Sequence, residues 1–471
     1  MDRSAIERRL LETGADEFLT PAYEDYCVAN VTETLLSLLD AGFDRRLPDE
    51  VFRGVGAGRF DVASRDRPAD AGRDPRAGAG GCPPADAGRD RPADADAYRS
   101  DDVLTDVETV VCVLLDGFGY DHWTRVEDDH ALLRRFAESG AVTPLTSIYP
   151  SETAAAFTSI HTGRPALEHG LLGWFQYLAF ADRDAITLPF TTLDGTPIDD
   201  VAPGATATDL FEGCSIYEGD GNADATVRTV LPASIADSKY SLAIYDGVDR
   251  IPYEGPAAFA ATVRAAVDAA EGPTLIHAYE PSIDAVGHAE GTSSERMRAT
   301  VADLLRALRE EFVESLDPGD AARTLLVVTA DHGILDTVPA ENVDMTTWDR
   351  WRSLQGTFRV DEEGEPRRPT GSPRNAHFHV RPDRRAEARE LLEERVDGLV
   401  LTRETALERD LFGPGEPSAL FERRCGDLIA VHRDRGLCWR ADDTQLVGMH
   451  GGVTRAEMLV PFAAARVDAL R

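Results

Sequence analysis

Lysine is nearly absent from this chain: Lys239 is the only one in 471 residues, and arginine supplies almost all the positive charge. Only 49 basic residues stand against 84 acidic ones, a formal net charge of −35. No basic run of any length interrupts the acidic background, so a nucleic acid is not an expected partner. An acidic surface with so little lysine points to a protein kept soluble in concentrated salt, where charge repulsion is screened within about 3 Å at 1 M. The six cysteines, Cys27, Cys82, Cys112, Cys214, Cys425 and Cys438, show no CxxC spacing. A chain of this length needs no disulfide scaffold, so reduced and mostly buried thiols are expected. Long apolar runs are missing too. The segment MDRSAIERRLLETGADE has no apolar centre, and no run approaches the roughly 20 residues of a membrane span. The expectation is a cytoplasmic protein with no membrane partner.

What is present has a clear order along the chain. The length exceeds that at which single cores stop growing, so a large core with a lobe or insertion is expected. Residues 1–60 carry helical patterns, first at Ile6, Leu10 and Leu11, then in VTETLLSLLDAG with Asn30 as its expected cap and Gly42 as its end. Residues 61–102 differ in kind. The unit PADAGRD at 68–74 returns at 84–90, with a partial copy at 92–97, and offers few side chains for a core, so a disordered insert is expected. From 103 to 340 the texture is that of an α/β core. VETVVCVLLDG, GPTLIHAYEPS and ARTLLVVTADHG are continuous apolar runs suited to parallel strands covered on both faces, and AAFAATVRAAVDAAEG and SERMRATVADLLRALREEFVESL supply helical crossovers. Residues 341–440 read as a small α+β insertion, a lid or cap, with a strand in NAHFHVRP, a helix in RRAEARELLEERV and a hairpin-like pair in DLIAVHRD and GLCWR. Residues 441–471 return to the core. The expected fold is a central, mostly parallel sheet flanked by helices.

Polar residues gather just past the ends of the apolar runs, where open α/β sheets bind ligands. Asp116 follows VVCVLL and precedes Gly117; taken alone it reads as a strand-end turn residue. Thr153 lies in PSETAAAFTSIHTG, where a helix begins, so its hydroxyl faces unpaired amides and the positive end of the dipole. An ordinary cap at Ser151 or Thr153 is the plain alternative. His161 and His169 nearby read as structural. Asp284 and His288 are four apart and can be presented together by one turn. Asp331 and His332 directly follow a buried strand, and His450 sits among glycines in GMHGG. These residues supply three carboxylates, three imidazoles and a hydroxyl, enough for two metal ions and a nucleophile.

These pieces, in this order, resemble the alkaline phosphatase superfamily, and more closely its type I phosphodiesterase/nucleotide pyrophosphatase branch. The resemblance runs from about 103 to 464 and rests on VVCVLLDGFGYD, YPSETAAAFTSIHTGRPALEHGLLGW, EPSIDAVGHAEG, VVTADHG and GMHGGVTRAEMLVPF. It implies that Asp116, Thr153, Asp331 and His332 hold one divalent ion and Asp284, His288 and His450 the other. Zinc is the metal such a family most often uses, and mixed oxygen and nitrogen ligation also accepts manganese. The implied reaction is attack of Thr153 on phosphorus in a small phosphate ester, followed by hydrolysis of the phosphothreonine intermediate.

One position departs from the family's pattern. Nucleotide pyrophosphatases commonly carry an asparagine shortly after the TG…HG element, and this chain has Trp174 there, in LLGWFQY. Trp174, Phe175 and Tyr177 are expected either to stack on a base, to line an apolar leaving-group pocket, or to pack in the core. A phosphomonoesterase or phosphomutase uses the same metals and stays open as an alternative, as does an inactive metal-binding scaffold. The absence of cysteine from the nucleophile segment argues against a sulfatase that uses formylglycine.

Overall fold

A computed structural model describes residues 2–471 except 13, 15–17, 40–42, 44–45, 56–103, 105, 219–224 and 362–363. The repeats at 68–97, and Gly42 as a helix end, therefore lie outside the described residues.

The apolar runs form the strands expected of them. Seven strands make the main sheet, in the order Ala141–Thr146, Leu459–Arg466, Thr324–Thr329, Thr109–Leu115, Thr274–Glu280, Thr226–Pro232 and Asp249–Tyr253. Thr109–Leu115 runs parallel to both its neighbours, and only Leu459–Arg466 runs against the rest. Every residue of Thr109–Leu115 is buried, because helices cover both faces of a parallel sheet. Burying each of Val110, Val111, Val113 and Leu115 contributes roughly 1.5–3 kcal/mol. The crossovers include Pro256–Asp268, whose proline sits in the first turn where its missing N–H is harmless, and Glu295–Ala307, capped by Ser294 accepting from the Met297 amide. This is a mixed α/β fold with a mostly parallel central sheet.

A second seven-stranded sheet runs Gly398–Thr402, Leu428–His432, Asn375–Phe378, Thr370–Ser372, Phe175–Leu178, Arg183–Ile186 and Thr191–Thr192, antiparallel throughout. It has its own apolar cluster, built on Met345, Leu354, Phe378, Leu392 and Leu437. Three of its strands come from 175–192, a stretch the sequence pattern did not tie to the later segment. Thr370–Ser372 and Phe175–Leu178 meet only at Gly371 and Phe175, a pairing with no local signature.

Three local expectations differ from the structure. Asn30 precedes the helix Val31–Leu36 but does not cap it: a 3-10 turn at Val28–Asn30 already places it in helical conformation, and its amide donates to the Tyr23 and Asp25 carbonyls. Leu428–His432 and Leu437–Cys438 do not pair with each other. The first joins the antiparallel sheet and the second runs parallel to Val343–Asp344. Cys27, Cys112, Cys425 and Cys438 are buried free thiols, whereas Cys214 is disulfide-bonded. CxxC spacing tests only for near neighbours and is blind to such a bridge. Among the described residues no helix is long and apolar enough to cross a membrane.

Candidate active site

Three adjacent parallel strands carry the acidic residues past their carboxyl ends. Asp116 directly follows Thr109–Leu115, Asp331 lies just beyond Thr324–Thr329, and the helix Ser282–Glu290, carrying Asp284 and His288, begins after Thr274–Glu280. The Asp116 turn needs glycine next: Gly117 has φ +72, and a Cβ there would stand 2.8 Å from Ile334 Cδ1 and 3.1 Å from Asp284 Cβ. Thr153 opens the helix Thr153–Thr162, with Glu152 before it at the cap position, where its side chain makes no capping bond.

The seven sequence-identified residues come together. Thr153 Oγ1 lies 3.0 Å from His332 Nε2 and 3.5 Å from Asp116 Oδ1. His332 Nε2 is 3.3 Å from Asp116 and 3.4 Å from Asp331. On the other side Asp284 stands 3.2 Å from His288 Nε2 and 3.5 Å from His450 Nε2, and the two imidazole Nε2 atoms are 3.2 Å apart. The His332 and His450 rings stack at 3.7 Å, joining the two halves. Thr153 is thus not an ordinary cap; its hydroxyl faces the cluster. His161 and His169 lie outside it, bonded to Tyr217 and Tyr245 and to Ser159, as structural histidines are.

Backbone contacts orient the imidazoles. His288 Nδ1 is 2.8 Å from the Gly448 carbonyl and His332 Nδ1 is 3.1 Å from that of Gly333. A carbonyl only accepts, so each Nδ1 carries a hydrogen and each Nε2 is the nitrogen that faces the cluster, where it can ligate a metal once it holds no proton. Ser147 donates to the Asp331 carbonyl at 2.6 Å and fixes that loop.

The electrostatics ask for cations. Burial, and then the charges of Asp331 and Asp284, push the Asp116 carboxyl well above its usual range. Burial also raises Asp331, though His332 opposes it. Burial disfavours charge on Asp284, but His288 and His450 outweigh it and hold the carboxyl below its usual range. Asp284 in turn overcomes burial to raise His288 to about 9, so a proton stands where a cation would otherwise lie. Buried Asp284 Oδ1 and Asp331 Oδ2 have no hydrogen-bond partner. Two overlapping groups, Asp284–His288–His450 and Asp116–Asp284–His332, bring their donor atoms within 4.8 Å of one another. Buried carboxylates with unpartnered oxygens beside imidazole nitrogens are a donor set that fits divalent ions.

The type I phosphodiesterase/nucleotide pyrophosphatase family model matches residues 110–452, well over half of the chain. The chain belongs to that family and is a hydrolase. No curated protein sequence matches it significantly. Among solved structures, murine ectonucleotide pyrophosphatase/phosphodiesterase 5 is similar over 76% of this chain and 87% of its own, at 17% identity and a TM-score of 0.55. An inactive threonine-to-alanine variant of that murine protein, in complex with AMP, is similar over 76% and 88%, at 16% identity and a TM-score of 0.56. Phosphonoacetate hydrolase from Sinorhizobium meliloti 1021, in complex with phosphonoacetate, is similar over 76% and 93%, at 20% identity and a TM-score of 0.52. At these identities the likeness establishes the alkaline phosphatase-like fold and nothing finer.

In this phosphodiesterase family member Trp174 is 37% exposed, so it is not a core residue, and its carbonyl accepts from the Thr187 amide at 3.0 Å. In the second sheet the Asn375 amide is already engaged: it donates to the Leu172 carbonyl and accepts from Tyr149. Three residues bordering the site escaped the sequence reading. Tyr279 donates its hydroxyl to Asp116 Oδ2. Glu152 is buried beside Thr153, and burial raises it to about 8. Asp443 is raised to about 6 by burial and lies close enough to His288 for their charges to interact. Tyr279 is the penultimate residue of Thr274–Glu280, in register with Leu114, two residues before Asp116, and its place near the strand end was the available signal. Glu152 and Asp443 had none.

Proposed function

We propose that this protein hydrolyses phosphodiester or pyrophosphate bonds in nucleotide-type small molecules, with Thr153 as the nucleophile and a covalent phosphothreonine intermediate. The observation carrying this reading is the position of the Thr153 hydroxyl, at the first turn of a helix and between His332 and Asp116, with the other four residues converging behind it. Asp116, Thr153, Asp331 and His332 would hold one divalent ion and Asp284, His288 and His450 the other, and zinc, or manganese in its place, supplies activation of hydroxyl and water and offsets phosphoryl charge when bound.

The chain's own part is positioning. Asp116 and His332 fix Oγ1 of Thr153, and Tyr279 fixes Asp116 in turn. The free amides at the helix start face incoming phosphoryl oxygens. Oγ1 loses its proton and bonds to phosphorus while the P–O bond to the leaving group breaks in line, and the leaving oxygen takes up a proton. Water then cleaves the Thr153 ester and restores the hydroxyl. The murine relative's inactive variant, which holds AMP and lacks a threonine, supports both the nucleophile type and the ligand class.

The test is a substrate panel in high salt with added Zn²⁺ or Mn²⁺: bis-p-nitrophenyl phosphate, p-nitrophenyl phosphate and p-nitrophenyl sulfate. Preferred turnover of the diester is expected. Preference for the monoester overturns the diesterase reading, and no turnover with metal bound makes the protein a scaffold.

A further inference from the structure

The second sheet carries a cavity of about 150 Å³ that shares no residue with the metal cluster. Its walls are aromatic and cationic. Phe175 and Trp439 meet edge to face at 6.4 Å, and Trp351 lines the cavity with them. Arg367, Arg368 and Arg440 bring three guanidiniums to the same space, opposed among the lining residues by the single carboxylate of Asp184. Just outside the lining, Asp443 lies near Arg440, and Asp361 and Asp182 lie near Asp184.

The guanidiniums are held flat and left with binding capacity. Arg440 lies over the Phe175 ring at 4.8 Å and Arg367 over the Tyr177 ring at 4.4 Å. The buried Nε of Arg367 has no hydrogen-bond partner and so has a donor still to satisfy, whereas that of Arg440 is turned toward Asp443. Planar forks of this kind match phosphate and carboxylate oxygens, and the half-buried indoles of Trp351 and Trp439 offer apolar surface to a flat ring.

The cavity also adjoins the metal loops. Thr370 lines it, and Ser372, two residues along the same strand face, abuts the His450 loop so closely that a Cβ at Gly451 would stand 2.7 Å from Ser372 Oγ. On another side Arg440 Nε lies 3.9 Å from Asp443, the carboxylate whose charge reaches His288.

We infer that this cavity is a binding site for an anion bearing a planar ring, a nucleoside monophosphate in its simplest form, contributed by the second sheet and distinct from the metal centre. The nucleotide identity rests on the proposed phosphodiester function; the preference for a ring joined to an anion rests on the cavity alone.

The test is calorimetric titration of the full chain with AMP, adenosine and inorganic phosphate, with and without EDTA. AMP binding that survives EDTA is expected, with adenosine and phosphate each at least about tenfold weaker, because each forfeits either the charge-assisted bonds or the stacking. Arg367→Gln with Arg440→Gln should weaken AMP by about tenfold or more, and Trp439→Ala by about fivefold or more. Loss of AMP binding with EDTA in the unmutated chain, or unchanged affinity in the double arginine variant, overturns the inference. Turnover is not needed for any arm, so failure of the catalytic reading and failure of this site give different results.

Discussion

Replacing Arg374 by methionine should destabilise the protein by about 3 kcal/mol at neutral pH and loosen both halves of the active site. Arg374 stands in the turn between two strands of the second sheet, and its Nε and an NH₂ group reach the two oxygens of Glu457 at 2.8 and 2.9 Å. Both side chains are 0% exposed. Glu457 accepts from the Gly452 amide at 2.9 Å with the same carboxylate, and its own carbonyl accepts from Gly333 at 2.8 Å. One residue thus ties the His450 loop, the Asp331–His332 loop and the second sheet together. Removing one partner of a buried pair typically costs about 3–5 kcal/mol. A ceiling follows from titration: an orphaned carboxyl can protonate, which at pH 7 and an ordinary carboxylate pKa costs about 3.4 kcal/mol. If the chain unfolds as one unit, its melting entropy is roughly 1 kcal/mol/K, so Tm should fall by about 3 °C.

The pH dependence supplies the sign. Burial disfavours charge on Glu457, but Arg374 and the hydrogen bonds outweigh it and hold the folded pKa below the usual value. Its stabilisation is therefore present above the unfolded pKa and lost as pH falls through the lowered folded one. In the variant the carboxyl is raised instead, so the deficit should shrink between pH 7 and pH 4. Denaturant melts of wild type, Arg374→Met and Arg374→Met with Glu457→Gln measure this. A deficit below about 1 kcal/mol at pH 7, or the same deficit at both pH values, would refute the reasoning, as would a double variant no more stable than the single.

Stripping divalent ions with EDTA should abolish hydrolysis and lower Tm, because the buried Asp116, Asp331 and Asp284 are then left to repel one another; adding Zn²⁺ or Mn²⁺ should restore both. Tyr279→Phe removes the donor to Asp116 and should reduce metal affinity or activity by about 10–100-fold while circular dichroism stays unchanged. Salt is the remaining control. With a net charge of −35 and one lysine, Tm should rise between 0.1 and 2 M KCl, and a higher Tm in dilute buffer would discard the high-salt reading.

The core was legible because a parallel sheet covered on both faces leaves unbroken apolar runs, and its ligand-binding edge follows from strand direction. Asp116, Asp331, Asp284 and His288 could be found by asking what stands just past TVVCVLL, TLLVVT and TLIHAYE. The second sheet was harder. Its strands are short, and the neighbours Thr370–Ser372 and Phe175–Leu178 lie almost 200 residues apart, so no periodicity links them. Asp443 and Glu152 were invisible for a related reason, since each acts through partners brought close only by folding; Glu457 had a local signal in the capping box Thr454–Glu457, but its tie to Arg374 had none. Arg374 has no local sequence signal to set it apart from the other arginines, and it is fully buried.

The central claim is that Thr153 becomes covalently bonded to phosphorus. Acid quenching during turnover of a nucleotide diester, followed by peptide mass analysis, should show the added phosphoryl group on Thr153 and on no other residue. Thr153→Ala should lose hydrolysis and retain at least one metal ion. Near-wild-type turnover by that variant, or an adduct on a different side chain, would contradict the account.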